Sequence, residues 1–115
     1  MGSTVGRGQV VSGSGTEGIV HRANDVKEVM ALLGREDLEQ VILLTDSPSA
    51  TAVVPLLAKV RGVICRSGGP TSHLAIVSRE FGLAAVMGAE IEDPDSLEGE
   101  RVILTEDGVI QRVQS

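Results

Sequence analysis

Hydrophobic and polar positions change rhythm several times along this chain, and each change marks an element. Residues 4–22 alternate glycines with short β-prone pieces, Gln9-Val10-Val11 and Gly18-Ile19-Val20-His21, which predicts short strands joined by tight turns. From Asn24 onward Val26, Val29, Met30 and Leu33 recur at helical spacing until Gly34. With Asn24 as N-cap, and Asp25 and Glu28 near the positive end of the helix dipole, this segment reads as a short amphipathic helix. The unbroken Val-Ile-Leu-Leu run within residues 40–45 suits a strand buried on both faces, hence a parallel central strand. Residues 47–60, opening on Ser47-Pro48-Ser49, predict a second short helix with Pro55 near its first turn or bending it.

Gly62-Val63-Ile64-Cys65 is the next strand, followed by the loop Arg66-Ser67-Gly68-Gly69-Pro70 and a helix from Thr71 or Ser72 to Phe81, stopped by Gly82. Residues 84–87 predict another strand, and residues 90–95 a solvated acidic loop. Residues 101–104 and 109–113 predict a hairpin around Glu106-Asp107-Gly108, because Asp-Gly favours a primed turn. Strands and helices alternate in the middle with β structure at both ends. The fold class expected from this order is α/β, with a central, mostly parallel sheet, short helices and a terminal β-hairpin.

Composition narrows the choice. A chain of 115 residues suits one domain covering residues 1–115, and its 42% hydrophobic content must pack as an aliphatic core, since Phe81 is the only aromatic residue. The lack of aromatic stacking platforms and a net charge of −6 argue against nucleic acid as a partner. No apolar run approaches the roughly 20 residues of a membrane span, and no signal peptide opens the chain. Cys65 is the only cysteine, so no internal disulfide forms, and two histidines without a cysteine cluster argue against a metal site. A cytoplasmic location is the expectation, with neither membrane nor nucleic acid as partner.

The candidate chemistry lies in Gly68-Gly69-Pro70-Thr71-Ser72-His73, which sets a histidine at a helix start directly after paired glycines. Unpaired N–H groups of a first helical turn and the positive end of the dipole hold anions, and glycines let the backbone approach a phosphate closely. Thr71 and Ser72 add hydroxyl donors. Imidazole, with an ordinary pKa of about 6.5, is largely neutral at neutral pH and is then a competent nucleophile toward phosphorus.

The stretch from Gly68-Gly69-Pro70-Thr71-Ser72-His73 through Leu74-Ala75-Ile76-Val77-Ser78-Arg79-Glu80-Phe81 to Gly82-Leu83-Ala84-Ala85-Val86-Met87-Gly88 resembles the signature of the mobile phosphohistidine domain of PEP-utilising enzymes. Pyruvate phosphate dikinase, phosphoenolpyruvate synthase, enzyme I of the sugar phosphotransferase system and rifampicin phosphotransferase contain such domains. The likeness extends from the glycine-rich start through Leu44-Thr45-Asp46 to Leu97-Glu98-Gly99-Glu100 and the closing hairpin. It implies a swivelling β/β/α domain that accepts a phosphoryl group on His73 and passes it on, with Thr71 supporting the phosphohistidine and, in some dikinases, serving as a regulatory site. It further implies that this chain binds no cofactor of its own. ATP or PEP, with Mg2+, would sit on partners: an ATP-grasp-type nucleotide-binding protein, a PEP- or pyruvate-binding barrel, or both. The family usually has alanine where Leu74 stands and proline where Ala84 stands, apolar changes that bear on packing more than on chemistry.

Other residues read more plainly. Gly13-Ser14-Gly15-Thr16-Glu17-Gly18 satisfies the spacing of a dinucleotide fingerprint, but β-prone residues follow where a helix should open, so a turn is the better account. Ser72 and His73 would point about 100° apart on a helix, too far for a hydrolase dyad, which leaves Ser72 to donate or cap. Arg79 lies about 240° around that helix from His73 and reads as surface. Arg66 in the loop is the better anion contact, with solvated surface an equal reading. His21 reads as structural or surface, and Cys65 as a small buried strand residue. Two functions from different classes emerge: a phosphocarrier component of a multi-component phosphotransferase, inactive alone, or a non-catalytic assembly or regulatory module that keeps the fold.

Overall fold

The structure is a computed structural model that describes residues 2–13, 15–46, 53–69 and 72–113. Seven strands form a closed barrel in the order β1-β5-β4-β3-β2-β6-β7. They are β1 (Gly2–Ser12), β2 (Thr16–Arg22), β3 (Val41–Thr45), β4 (Gly62–Cys65), β5 (Ala84–Ile91), β6 (Arg101–Leu104) and β7 (Val109–Val113). Among the described residues, three α-helices accompany them: α1 (Val26–Leu33), α2 (Val54–Leu57) and α3 (His73–Glu80). None is long and apolar enough to cross a membrane.

This architecture corrects the expected α/β fold with its central, mostly parallel sheet, and with it the β/β/α description. Strands β2, β3, β4 and β5 do run parallel to one another, but they form one wall of a barrel whose remaining pairings are antiparallel. The physical reason lies in β1. Its glycines suggest short pieces joined by turns, yet it is one strand of 11 residues, paired with β5 on one side and β7 on the other. Register shifts at Thr4/Gly6, Arg7/Gln9 and Val10/Ser12 let it bend, as bulges do, so that it bridges the two free edges of the sheet.

Alternation along the strands sorts the core into two compartments. Ile42, Leu44, Ile64 and Val86 face inward with Val20, Val102, Leu104 and Ile110 and fill the barrel, which Leu97 also enters. Val41, Leu43, Val63, Cys65, Ala85 and Met87 face outward and are covered by Val29 and Leu32 of α1, Leu56 and Leu57 of α2, and Leu74 and Ala75 of α3. Both faces of the parallel wall are therefore dry, which explains the unbroken apolar run at residues 41–44. Each large aliphatic side chain buried this way contributes about 1.5–3 kcal/mol.

Local details differ from the sequence reading in instructive ways. Asp25, not Asn24, caps α1: its side chain accepts from Glu28 N at 2.9 Å, while the Glu28 carboxylate accepts from Asn24 N at 3.1 Å. Pro55 sits in the first turn of α2, where its missing N–H costs nothing. The predicted second-helix start, Ser47-Pro48-Ser49, lies outside the described residues. Strand β5 runs four residues further than expected, through the acidic Glu90, and the rest of the presumed acidic loop includes a 3-10 turn over Pro94–Leu97. The glycines of the apparent dinucleotide fingerprint lead into a strand: Gly13 and Gly15 have φ of 43° and 71°, and β2 follows at once.

Candidate phosphohistidine site

The segment after β4 places His73 as the first residue of α3, with Ser72 as N-cap in extended conformation. Ser72 Oγ accepts from Ala75 N at 3.4 Å and donates to Gly69 O at 2.9 Å, and Ser72 N donates to the same carbonyl at 3.1 Å. One hydroxyl thus ties the first turn of the helix to the glycine pair. Capping of this kind is worth about 1 kcal/mol. Ser72→Ala is accordingly expected to destabilise the fold by about 1 kcal/mol, read as a lower urea midpoint with an unchanged slope.

His73 is exposed, whereas the next two residues, Leu74 and Ala75, are 1% and 0% exposed and anchor α3 on the outer face of the barrel. The helix therefore presents the imidazole to the outside while its other side is fixed. Leu74 is accommodated within this outer core. Ile76, one turn after His73, is 43% exposed and gives the same face an apolar spot.

The glycines have distinct duties. Gly68 adopts φ 89°. Its carbonyl lies against Gly88 of β5, where an added Cβ would come within 3.1 Å of Gly68 O, and Gly88 itself has φ 62°. Gly69 faces open space and serves through its carbonyl. Thr71 lies outside the described residues, as does Pro70.

Arg66 Nη1 donates to Asp46 Oδ1 at 3.1 Å. Asp46, at the end of β3, is a hub that sequence reasoning passed over. Its Oδ2 accepts from Arg22 Nη2 and from Asn24 Nδ2, each at 3.0 Å. Its backbone carbonyl accepts from Ser67 Oγ at 2.7 Å, and its N–H donates to Asn24 Oδ1 at 2.7 Å. Thr45 Oγ1 donates to the same Asn24 oxygen at 2.9 Å. Partial burial pushes the Asp46 carboxyl up, but the Arg66 and Arg22 guanidiniums outweigh it and hold the group below the ordinary carboxylate value. Arg22 reaches on to Asp95.

The remaining candidates fall elsewhere. His21 Nδ1 pairs with Glu98, which also accepts from Arg22 N at 2.8 Å, and His21 Nε2 is buried without a partner among the described residues. Arg79 Nε donates to Val11 O at 3.1 Å, tying α3 to β1. Cys65 is fully buried, and burial pushes its thiol up, so it stays protonated at neutral pH.

Residues 38–108 match the family model described as "PEP-utilising enzyme, mobile domain". A protein of Salmonella typhimurium named phosphoenolpyruvate-dependent phosphotransferase system is 35% identical over 86 residues, covering 66% of this chain and 12% of that protein. Rifampicin phosphotransferase of Bacillus subtilis is 33% identical over 66 residues, covering 57% of this chain and 8% of its own length. A probable phosphoenolpyruvate synthase of Archaeoglobus fulgidus is 31% identical over 71 residues, covering 62% and 9% respectively. The chain thus spans only about a tenth of the length of these relatives.

Proposed function

Because the chain belongs to the family of mobile domains of PEP-utilising enzymes, we propose that it carries a phosphoryl group on His73 between two active sites that lie outside it. The observation that carries this reading is the placement of an exposed imidazole on the first residue of a capped helix, directly after Gly68 and Gly69. In the loading step the lone pair of the unprotonated ring nitrogen attacks phosphorus, an N–P bond forms, and the donor's P–O bond breaks with its electron pair leaving on the donor oxygen. The N–H groups of the first turn and the helix dipole favour the negative charge that arrives. In the unloading step an acceptor oxygen attacks phosphorus, gives up its proton to a base in the acceptor's site, and the N–P electron pair returns to the ring.

Gly68, Gly69, Thr71 and Ser72 support the phosphoryl group in this reading, and His73 is the nucleophile. Donor and acceptor chemistry belong to an ATP-grasp-type nucleotide-binding component, a PEP- or pyruvate-binding barrel, or both, and Mg2+ acts there with ATP or PEP. Relatives named as phosphotransferases and synthases, each far longer than this chain, favour that division of labour.

Incubation with those components and a donor labelled at the transferable phosphorus is expected to give acid-labile, base-stable label on His73, located by peptide mass spectrometry. Donor turnover with His73 left unlabelled would sink the proposal.

A further inference from the structure

Building on the phosphocarrier reading, we infer that Asp46 is the positioning residue for His73, acting through Arg66 and Ser67 to set the loop from which α3 starts. The ends of β2, β3 and β4 contribute to this arrangement, and one residue joins them. The Asp46 carboxylate accepts from Arg22 and Asn24 at the end of β2 and from Arg66 after β4, while its main-chain carbonyl accepts from Ser67 Oγ at 2.7 Å. Arg66 N donates to Thr45 O at 3.0 Å, so both residues at the loop's origin are fastened to the end of β3.

Only Gly68 separates this fastened pair from the Gly69 carbonyl that receives Ser72 N and Ser72 Oγ. Gly68 in turn has its carbonyl seated on Gly88, where there is no side chain to lift it. The Asp46 carboxylate thus reaches the origin of the loop through the Arg66 side chain, and main-chain carbonyls of Thr45 and Asp46 fasten the same two loop residues. The carboxylate touches no reacting atom. Its contribution is to fix the loop origin and, through the Gly69–Ser72 contacts, the place from which α3 presents the imidazole and its first-turn N–H groups to an arriving phosphoryl group.

Asp46 also explains the use of Arg66. Turned onto Asp46, Arg66 serves as a strut and leaves the first turn as the main anion support.

The test uses phosphoramidate, which phosphorylates histidine without a protein donor: the ring nitrogen attacks phosphorus, the reagent's P–N bond breaks, and ammonia leaves after taking a proton. N-acetylhistidine in the same tube supplies the reference rate. Wild-type His73 is expected to label faster than the reference, and Asp46→Asn to reduce that ratio by about tenfold. Arg66→Gln, which changes an exposed side chain, is expected to reduce it to a similar degree, and the double variant no further, because both changes cut one strut. A role confined to stability would instead lower the thermal midpoint and leave the ratio of the folded protein at its wild-type value. Unchanged ratios in Asp46→Asn and Arg66→Gln overturn the inference while leaving the carrier reading intact. Wild-type His73 that takes no label overturns both. Should Asp46→Asn fail to fold, the Arg66→Gln ratio decides.

Discussion

Replacing His73 by alanine is expected to abolish phosphoryl acceptance by this chain and to lower the turnover of the assembled system by at least about a thousandfold. Loss of a nucleophile commonly costs more than that, because the covalent intermediate forms on the residue removed. His21, the other histidine, does not substitute: its Nδ1 is engaged by Glu98 and its Nε2 is buried. The fold should not suffer. His73 is exposed, and substitutions of exposed residues away from caps and cores usually change stability by less than about 0.5 kcal/mol. A urea denaturation curve superimposable on wild type, alongside a lost steady-state rate, is the expected pair of results. Full activity of the assembled system with His73→Ala would instead leave the domain as an assembly or regulatory module.

Why the helix start was readable in the sequence and its support was not follows from the range of the interactions. Gly68, Gly69, Ser72 and His73 act on neighbours within a few residues, so spacing alone conveys N-cap, close approach and helix start. Asp46 acts on Arg22, Asn24, Arg66 and Ser67, each about 20 residues away in sequence. Its neighbourhood, Leu44-Thr45-Asp46, belongs to the family likeness but conveys none of these partners. The run at residues 41–44 announced a strand dry on both faces, and all four side chains are fully buried. What the run did not convey is whether the sheet containing it stays open. That depends on β1, whose partners β5 and β7 lie about 70 to 110 residues downstream.

The closing hairpin shows the same limit on a smaller scale. Asp107-Gly108 suggests a primed turn, which needs positive φ at both central residues. Glu106 and Asp107 have negative φ, Gly108 has φ 83°, and Gly108 N donates to Thr105 O at 3.1 Å. The loop is thus a type I turn followed by a left-handed glycine, one residue longer than a primed two-residue loop. The hairpin of β6 and β7 forms as expected, and the glycine of its turn meets β1 in a contact distant in sequence.

That contact makes Gly108→Ala the substitution expected to cost the most stability. Gly8 N donates to Gly108 O at 2.9 Å, and a Cβ built on Gly108 would lie 2.1 Å from Gly8 O. Gly8 has little room to retreat, since a Cβ at its own position would already lie 2.6 Å from Val86 Cγ1 and 2.8 Å from Met87 O. A left-handed alanine costs about 1–2 kcal/mol by itself. Adding the displacement of β1 where it bridges β5 and β7, the expected loss is about 3–5 kcal/mol, a large part of the roughly 5–15 kcal/mol that holds such domains folded. Gly99→Ala is the matched control: φ there is 79°, but no atom lies within 4 Å of the added Cβ, so only the conformational cost of about 1–2 kcal/mol applies. Urea unfolding of the two variants separates strain at a turn from closure of the barrel. Equal losses would mean that β1 yields to the added methyl group and that the bridge between β5 and β7 is compliant. A loss at Gly108 larger by 2 kcal/mol or more would mean that the barrel resists opening at this seam.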